Sequence, residues 1–189
     1  MSRINNLIAE LAPDGVEYRG LGELATFRRG TSITKALTTR GDIPVVAGGR
    51  SPAYYHGESN RPGDSIVIAG SGAYAGYVSY WTDPVFVSDA FTIHPAADQL
   101  NAKYLYYFLT SIQKAIHATH SGGGVPHVHG KHLAGFRIPV PPLEVQREIV
   151  GILDKFTELE AELEAELAAR RKQYEYYRDR LLTFEEAAV

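Results

Sequence analysis

Cysteine is absent from the 189 residues of this sequence. Disulfide bridges, thiolate zinc sites and cysteine nucleophiles are therefore excluded, and a chain without cysteine suits a reducing compartment. The sequence also lacks a long apolar run and a basic segment followed by an apolar block, the patterns of a membrane span and of a signal peptide. We therefore expect a cytoplasmic protein that makes no contact with a membrane.

Several motifs of well-known catalytic chemistry are missing as well. The sequence has no Gly-x-x-x-x-Gly-Lys-Ser/Thr phosphate loop, no His-Glu-x-x-His zinc pair and no Gly-x-Ser-x-Gly nucleophile turn. It also lacks the Asp/Glu-x-Lys pair of many metal-dependent nucleases and the Asn/Asp-Pro-Pro-Tyr/Phe run with which amino-methyltransferases hold a base. These absences argue against an autonomous nuclease or methyltransferase, and we expect a non-catalytic protein without a cofactor.

The net charge of −3 hides an uneven distribution along the chain. Residues 143–189 hold 7 Lys and Arg against 12 Asp and Glu, whereas residues 1–142 hold 12 against 10 and contain all seven histidines. An acidic C-terminal segment therefore masks a mildly basic N-terminal part. The sign of the C-terminal segment suits a surface that faces protein rather than phosphate.

The C-terminal segment has the pattern of one long helix from Leu143 to Leu182. Pro141 and Pro142 prevent the helix from starting earlier. Apolar residues then recur at steps of three or four residues, and Arg170 occupies one position of this pattern. This apolar seam consists of Ile149, Leu153, Phe156, Leu159, Leu163, Leu167, Tyr174, Tyr177 and Leu181. We expect residues 143–189 to be a coiled-coil spacer that pairs with another long helix; a helix folded back over its own domain is the alternative.

Residues 1–142 are expected to form one β-rich domain with few helices, which makes the whole chain α+β. Short runs of β-branched and aromatic residues, bounded by Gly, Pro or Asp, predict strands. These runs are Ile43–Ala47, Ser65–Ala69, Gly76–Trp81, Val85–Val87, Ala90–His94 and Phe136–Val140. One clear helix is predicted after Asn101, a suitable N-cap, because apolar residues from Tyr104 to Ile116 recur at helical spacing.

Four glycine-rich segments of this domain carry side chains suited to DNA. They are residues 27–35, 48–55, 70–74 and 120–131. Arg and Lys can contact guanine edges or phosphates, and backbone N–H groups at Gly can approach phosphate closely. A single charged loop usually indicates no more than a solvated surface, so the prediction depends on the presence of several. The predicted DNA contacts are Arg28, Arg29, Thr31, Lys35, Arg50, Tyr54, Ser71, Tyr74, His127, His129 and Lys131.

Five histidines between His117 and His132 allow a second interpretation. Imidazole is a common metal ligand, and the five lie within sixteen residues. However, no carboxylate lies nearby, and Gly122 to Gly124 make a preformed site difficult to build. We therefore predict no metal site, and a His-ligated metal enzyme is kept as an alternative.

Two segments have a more specific pattern than the glycine-rich loops. They are Ile138–Gln146, with the sequence IPVPPLEVQ, and Arg170–Leu182, with the sequence RRKQYEYYRDRLL. Weaker matches are Ala12–Val16, Leu21–Leu24, Phe27–Thr31, Ile43–Pro44, Gly63–Asp64, Gly72–Gly76 and Lys103–Leu109. In this order, and over almost the whole chain, the segments resemble one half of a type I restriction-modification specificity (S) subunit.

This resemblance implies that residues 1–142 are a target recognition domain and that residues 143–189 are a conserved helix. A subunit of this family usually has two of each, with its helices paired antiparallel as a ruler. This sequence has one of each, which fits either a natural half-subunit or a fragment of a two-domain subunit. The resemblance further implies binding to double-stranded DNA, to methyltransferase (M) subunits and, through them, to restriction (R) subunits. We therefore predict a homodimer, paired through the helix, that reads a bipartite inverted repeat. A coiled-coil adaptor for protein interactions is the alternative.

Overall fold

The computed structural model describes residues 3–121 and 124–185, and the chain divides into two compact units, Met1–Val150 and Gly151–Val189. The helices are α1 (Arg3–Leu11), α2 (Leu21–Leu24), α3 (Ala102–Ser111), α4 (Gln113–Ala118), α5 (Gly130–Leu133) and α6 (Leu143–Leu182), with a 3-10 turn at Lys35–Leu37. The strands are β1 (Tyr18–Gly20), β2 (Ala25–Arg29), β3 (Ile43–Val46), β4 (Tyr54–His56), β5 (Ser65–Ala69), β6 (Val78–Trp81), β7 (Phe86–Val87), β8 (Ala90–Pro95) and β9 (Arg137–Pro139). The chain is α+β, as the sequence predicts.

The strands of the first unit form three sheets. The largest has the order β2-β8-β5-β6 and is antiparallel throughout. A second sheet has the order β4-β3-β7, in which β3 pairs antiparallel with β4 and parallel with β7. The third consists of β1 and β9. Strand β2 therefore lies at an edge of the largest sheet, where it is hydrogen-bonded to β8.

Strand β5 is buried along its whole length. Successive side chains of a strand point to opposite faces of its sheet. Ile66 and Ile68 pack into a larger core together with apolar residues of α3, whereas Val67 packs into a smaller core with valines of β3 and β7. The four-stranded sheet is thus covered by helix on one face and by the three-stranded sheet on the other.

Most of the predicted elements are confirmed. Strand Ser65–Ala69 has the predicted bounds, and each of the other five predicted runs overlaps a strand. Asn101 caps α3, because its side-chain oxygen accepts bonds from the backbone N–H groups of Lys103 and Tyr104 at 2.9 and 3.0 Å. The predicted helix through Ile116 is divided at Ile112 into α3 and α4.

The prediction of glycine-rich loops is wrong at three candidate residues. Arg28 and Arg29 lie on β2 and Tyr54 lies on β4, so they are strand residues. These strands, ATFRR and YYH, are short and show no clear alternation, although their Thr, Phe and Tyr residues favour strands. Pairing with β8 and β3, which is decided by tertiary contacts, makes them strands.

Helix α6 has the predicted bounds, Leu143 and Leu182. Its 40 residues would span roughly 60 Å at about 1.5 Å per residue. Of the apolar seam, Ile149 packs against the larger core, whereas every residue from Lys155 to Leu182 is exposed. Phe156 and Leu163, for example, are each 65% exposed. In the part of the chain that the structure describes, no helix combines the length and apolar character needed to cross a membrane.

Gln146, in the first turns of α6, is completely buried. Its side-chain oxygen accepts a bond from the backbone N–H of Asn101 at 2.8 Å. Its side-chain nitrogen donates to the carbonyl oxygens of Gln99 at 2.9 Å and Pro141 at 2.7 Å. One amide therefore joins the start of α6 to the segment before α3 and to the proline turn.

We predict that Gln146→Leu lowers the free energy of unfolding of the first unit by about 2–4 kcal/mol, because it leaves three backbone groups without their partner. Urea titration followed by circular dichroism measures this change. The matched control is Arg147→Leu, since Arg147 is the exposed neighbour of Gln146. A Gln146→Leu protein as stable as this control would contradict the prediction.

Candidate nucleic-acid interface

A buried arginine holds the strand that carries two candidate DNA-binding residues. Arg61 is 2% exposed, and its guanidinium donates to the carbonyl oxygens of Arg28 at 3.2 Å and Arg29 at 2.9 Å. It also donates to the hydroxyl of Thr92 on β8 at 2.8 Å and to the carbonyl oxygen of Asn60 at 2.7 Å. Burial, together with the charge of Arg28, lowers the pKa of Arg61, yet an arginine keeps its proton in proteins. A fixed positive charge therefore lies behind β2.

Asn60 connects this arginine to the three-stranded sheet. Its side-chain nitrogen donates to the carbonyl oxygen of Val87 at 2.8 Å, and its side-chain oxygen accepts from the N–H of Val87 at 2.7 Å. Val87 lies on β7, whereas Arg61 binds β2 and β8. The Asn60–Arg61 pair therefore ties the two larger sheets together at the end of β2.

The two arginines of β2 face different surroundings. Arg29 and Phe27 line one cleft, and alternation along the strand turns Arg28 to the opposite face. On that side, burial lowers the pKa of His94, and the charges of Arg61 and Arg28 lower it further. The structure thus separates two neighbouring residues that the sequence placed in one loop.

The cleft has a volume of about 220 Å³ and is built from four separate segments of the chain. The N–H of Val128 donates to the carbonyl oxygen of Gly70 at 2.9 Å, and the N–H of Gly70 donates to that of Asp89 at 3.0 Å. Ser71 pairs with His127 in an isolated bridge, and its hydroxyl donates to the carboxylate of Asp89. The predicted contacts at or beside this cleft are Arg29, Ser71, His127, His129 and Lys131.

The cleft carries more positive than negative groups. The rings of His127 and His129 are stacked, with their centroids 6.2 Å apart. Desolvation lowers the pKa of His129, and His132, Lys131, His127 and Arg29 lower it further. The carboxylate of the cleft, that of Asp89, already accepts a hydrogen bond from Ser71. The arrangement suits a ligand rich in hydrogen-bond acceptors, such as a DNA phosphate or a base edge.

A neighbouring loop presents Thr31 and Lys35. The N–H of Thr31 donates to the carbonyl oxygen of Val87 at 2.9 Å, and Lys35 is exposed at the start of the 3-10 turn. Between them, the carbonyl oxygen of Ile33 accepts a hydrogen bond from the hydroxyl of Tyr54. Tyr54 therefore supports the loop, so its hydroxyl is already engaged within the protein.

Arg50 and Tyr74, from two separate glycine-rich segments, are in contact. The guanidinium carbon of Arg50 lies 4.8 Å from the ring centroid of Tyr74 and 5.5 Å from that of Tyr77. Both distances are within the range of a cation–π interaction. These side chains form a second candidate group, beside the turn that contains Ser71.

Sequence reasoning missed Asn60, Arg61 and Tyr77. The local sequence Asn60-Arg61-Pro62-Gly63 is also that of an ordinary solvated turn, so it gives no signal of a buried arginine. Tyr77 adjoins the predicted turn at Gly70–Tyr74, but only the fold shows that its ring reaches Arg50.

The histidines do not form one cluster. The rings of His117 and His120 are 5.3 Å apart, whereas His129 contacts His127 and His132 in a separate group. Within residues 3–121 and 124–185, no three His, Asp or Glu side chains are arranged to hold a metal ion.

The family model and the relatives found by comparison with known proteins all indicate the same family. A family model described as the type I restriction modification DNA specificity domain matches residues 13–169. The specificity subunit of the type I restriction enzyme EcoR124I/EcoR124II of Escherichia coli is 32% identical over 209 residues, covering 100% of this chain and 50% of that subunit. A putative type I restriction enzyme specificity subunit of Haemophilus influenzae is 31% identical, covering 90% of this chain and 47% of its own length. The chain spans about half the length of the curated relatives it matches.

Solved structures show the same fold. The S subunit of a type I restriction-modification system from M. genitalium has a TM-score of 0.72 at 23% identity, covering 90% of this chain and 47% of that one. The HsdS subunit from Thermoanaerobacter tengcongensis has a TM-score of 0.60 at 21% identity, covering 86% and 44%.

We predict that Arg61→Met lowers the free energy of unfolding by about 2–4 kcal/mol, because buried oxygens on β2 and β8 lose their donor. Chemical denaturation measures the change. Arg40→Met, at an exposed arginine, is the matched control and should stay within about 0.5 kcal/mol of the unchanged protein. Equal stability of the two variants would mean that Arg61 does not hold β2.

Proposed function

The chain belongs to the family of type I restriction-modification DNA specificity domains, and we propose that it is the component that reads the DNA sequence in such a system. Residues 1–142 form its target recognition domain and contact double-stranded DNA. The observation that carries this proposal is the cleft at the end of β2, where Arg29, His127, His129 and Lys131 meet. A specificity domain selects the site, and the chemistry belongs to other subunits.

The proposed contact surface extends beyond the cleft. It includes the second group of side chains, the loop that starts after β2, and the strand residues Arg28 and Tyr54, of which Arg28 faces away from the cleft and Tyr54 supports the loop through its hydroxyl. Its full set is Arg28, Arg29, Thr31, Lys35, Arg50, Tyr54, Ser71, Tyr74, His127, His129 and Lys131. Lysine side chains in this set suit phosphate contacts, whereas arginine, serine and threonine also suit base edges.

Residues 143–189 are proposed to pair with the same segment of a second copy. Four consecutive seam residues, Phe156, Leu159, Leu163 and Leu167, are 51–65% exposed. Full burial of such a side chain stabilises a complex by about 1.5–3 kcal/mol. Antiparallel pairing brings the same surface of both copies together, which is an isologous interface.

This pairing gives the chain a defined kind of target. Because two antiparallel helices are related by a twofold axis, the two recognition domains would be related by the same axis. The proposed dimer therefore reads an inverted repeat with an unread spacer between the half-sites.

The proposed partners follow from the family. The dimer orients M subunits on the DNA and, through them, R subunits. Another structural neighbour has a TM-score of 0.68 at 21% identity. It comes from work on complex assembly and conformational transition of the type I restriction-modification system. Because its proposed target is DNA, we expect the protein to act in the cytoplasm.

We predict that the unchanged protein is a dimer and that Leu159→Glu combined with Leu163→Glu makes it a monomer, because each substitution would bury a charge in the seam. Light scattering after size-exclusion chromatography measures the mass. The matched control is Ala165→Glu, which adds the same charge on the opposite side of the helix and should leave the dimer intact. A double variant that remains dimeric would rule out pairing through this seam.

We also predict that selection from randomised duplex DNA, with and without an M subunit, enriches a spaced inverted repeat. Its affinity should fall steeply as salt rises, because phosphate contacts release counterions. A monomer that enriches a single half-site would contradict the dimeric reader. If no sequence is enriched in either condition and no salt-dependent binding is seen, the chain is instead a coiled-coil adaptor.

A further inference from the structure

We propose that Arg50 reads a guanine base of the DNA target. This assignment rests on the proposed function, and it separates Arg50 from residues that hold the DNA backbone. Its basis is a guanidinium held against two tyrosine rings, with no carboxylate among its described contacts.

The position of the guanidinium is defined by the aromatic groups beneath it. Its central carbon lies 4.8 Å from the Tyr74 ring centroid and 5.5 Å from that of Tyr77. Tyr74 is 44% exposed and Tyr77 is half-buried, so the pair forms a platform at the surface. A guanidinium stacked on aromatic rings keeps its N–H donors available at its edge.

The platform itself is held by backbone bonds. The N–H of Tyr77 donates to the carbonyl oxygen of Tyr74 at 2.8 Å, and the N–H of Ala69 donates to that of Tyr77 at 3.0 Å. Gly76 in this turn has a φ of +84°, a conformation that favours glycine. The turn therefore fixes the backbone of Tyr74 and Tyr77 relative to β5.

The segment that carries Arg50 packs closely on the same turn. A Cβ atom at Gly48 would overlap the carbonyl oxygen of Ser71. The absence of a side chain at this position lets the backbone two residues before Arg50 approach the turn that precedes Tyr74. Both partners of the stack are thus brought together by backbone packing and not by the side chains alone.

The charge of Arg50 is not neutralised within the described part of the chain. Ion pairs with carboxylates occupy other arginines, such as Arg19 and Arg170, whereas the described contacts of Arg50 are the two rings. An exposed cation that lies over two rings is available to a ligand.

Guanine is the base that fits this donor set. Its major-groove edge presents two acceptors, O6 and N7, and an arginine can donate to both at once. A lysine has the same charge but offers a compact ammonium on a flexible stem, so it lacks the paired donors of a planar fork. Replacing Arg50 with lysine therefore separates base reading from charge.

The first experiment compares the unchanged protein with Arg50→Lys in the selection from randomised duplexes. We expect one guanine position of the enriched site to lose about 5- to 150-fold of its preference. Affinity for unrelated DNA should change by no more than about twofold, because the charge is kept. Tyr74→Leu removes one ring and should lower the same preference by a smaller factor.

A second experiment tests the acceptor on the base. The guanine at that position is replaced by 7-deazaguanine, which lacks N7 and still pairs with cytosine. The unchanged protein should lose about fivefold or more in affinity, since one of its two acceptors is gone. Arg50→Ala should show no such loss, because it no longer has a donor for N7. Fluorescence anisotropy with labelled duplexes measures both.

Arg40→Lys is the matched control, because Arg40 is exposed and lies outside the proposed contact surface. It should leave every position of the enriched site unchanged. If Arg50→Lys also leaves every position unchanged, or 7-deazaguanine weakens Arg50→Ala as much as the unchanged protein, Arg50 does not read guanine although the proposed function stands. If the unchanged protein enriches no sequence, the proposed function and this assignment both fail.

Discussion

The candidate interface depends on the buried guanidinium of Arg61. It joins β2 to β8 through the carbonyl oxygens of Arg28 and Arg29 and the hydroxyl of Thr92, and Asn60 beside it binds β7. A desolvated cation is unfavourable unless its donors are satisfied, so these oxygens must stay in place. The requirement fixes the end of β2, the loop that follows it and the cleft that Arg29 lines. Rigid support of this kind suits the proposed reading of one DNA sequence among many similar ones.

The second constraint is the apolar seam of α6. From Phe156 onward it is exposed, while Gln146 and Ile149 at the start of the helix are held in the first unit. Exposed leucines at coiled-coil spacing favour association, because burial removes apolar surface from water. The same helix is acidic from Glu158 to Glu166, which makes that part of the seam unfavourable for phosphate. The chain therefore keeps its proposed DNA-binding surface and its proposed pairing surface on segments of opposite charge.

The sequence predicts the regular elements well where the local signal is strong. Helix α6 and strand β5 have the predicted bounds, since a proline turn and an unbroken β-branched run mark them without reference to other segments. It fails for β2 and β4, which are strands through their pairing with β8 and β3. Of the candidate site, the sequence indicates only residue types, because arginine, lysine and histidine stand out beside glycine-rich segments.

By itself, the sequence determined the α+β class, the long helix with its apolar seam and the family, through the IPVPPLEVQ segment and the tyrosine-rich end of the helix. Only the tertiary structure decided which candidate residues meet: it joined Arg29 to His129 in one cleft, turned Arg28 away and set Arg50 on Tyr74 and Tyr77. It also decided that Arg61, in a segment with the appearance of a solvated turn, is buried. The physical reason is that periodicity and propensity act between near neighbours in the chain, whereas a site is formed by backbone bonds and burial between segments many residues apart.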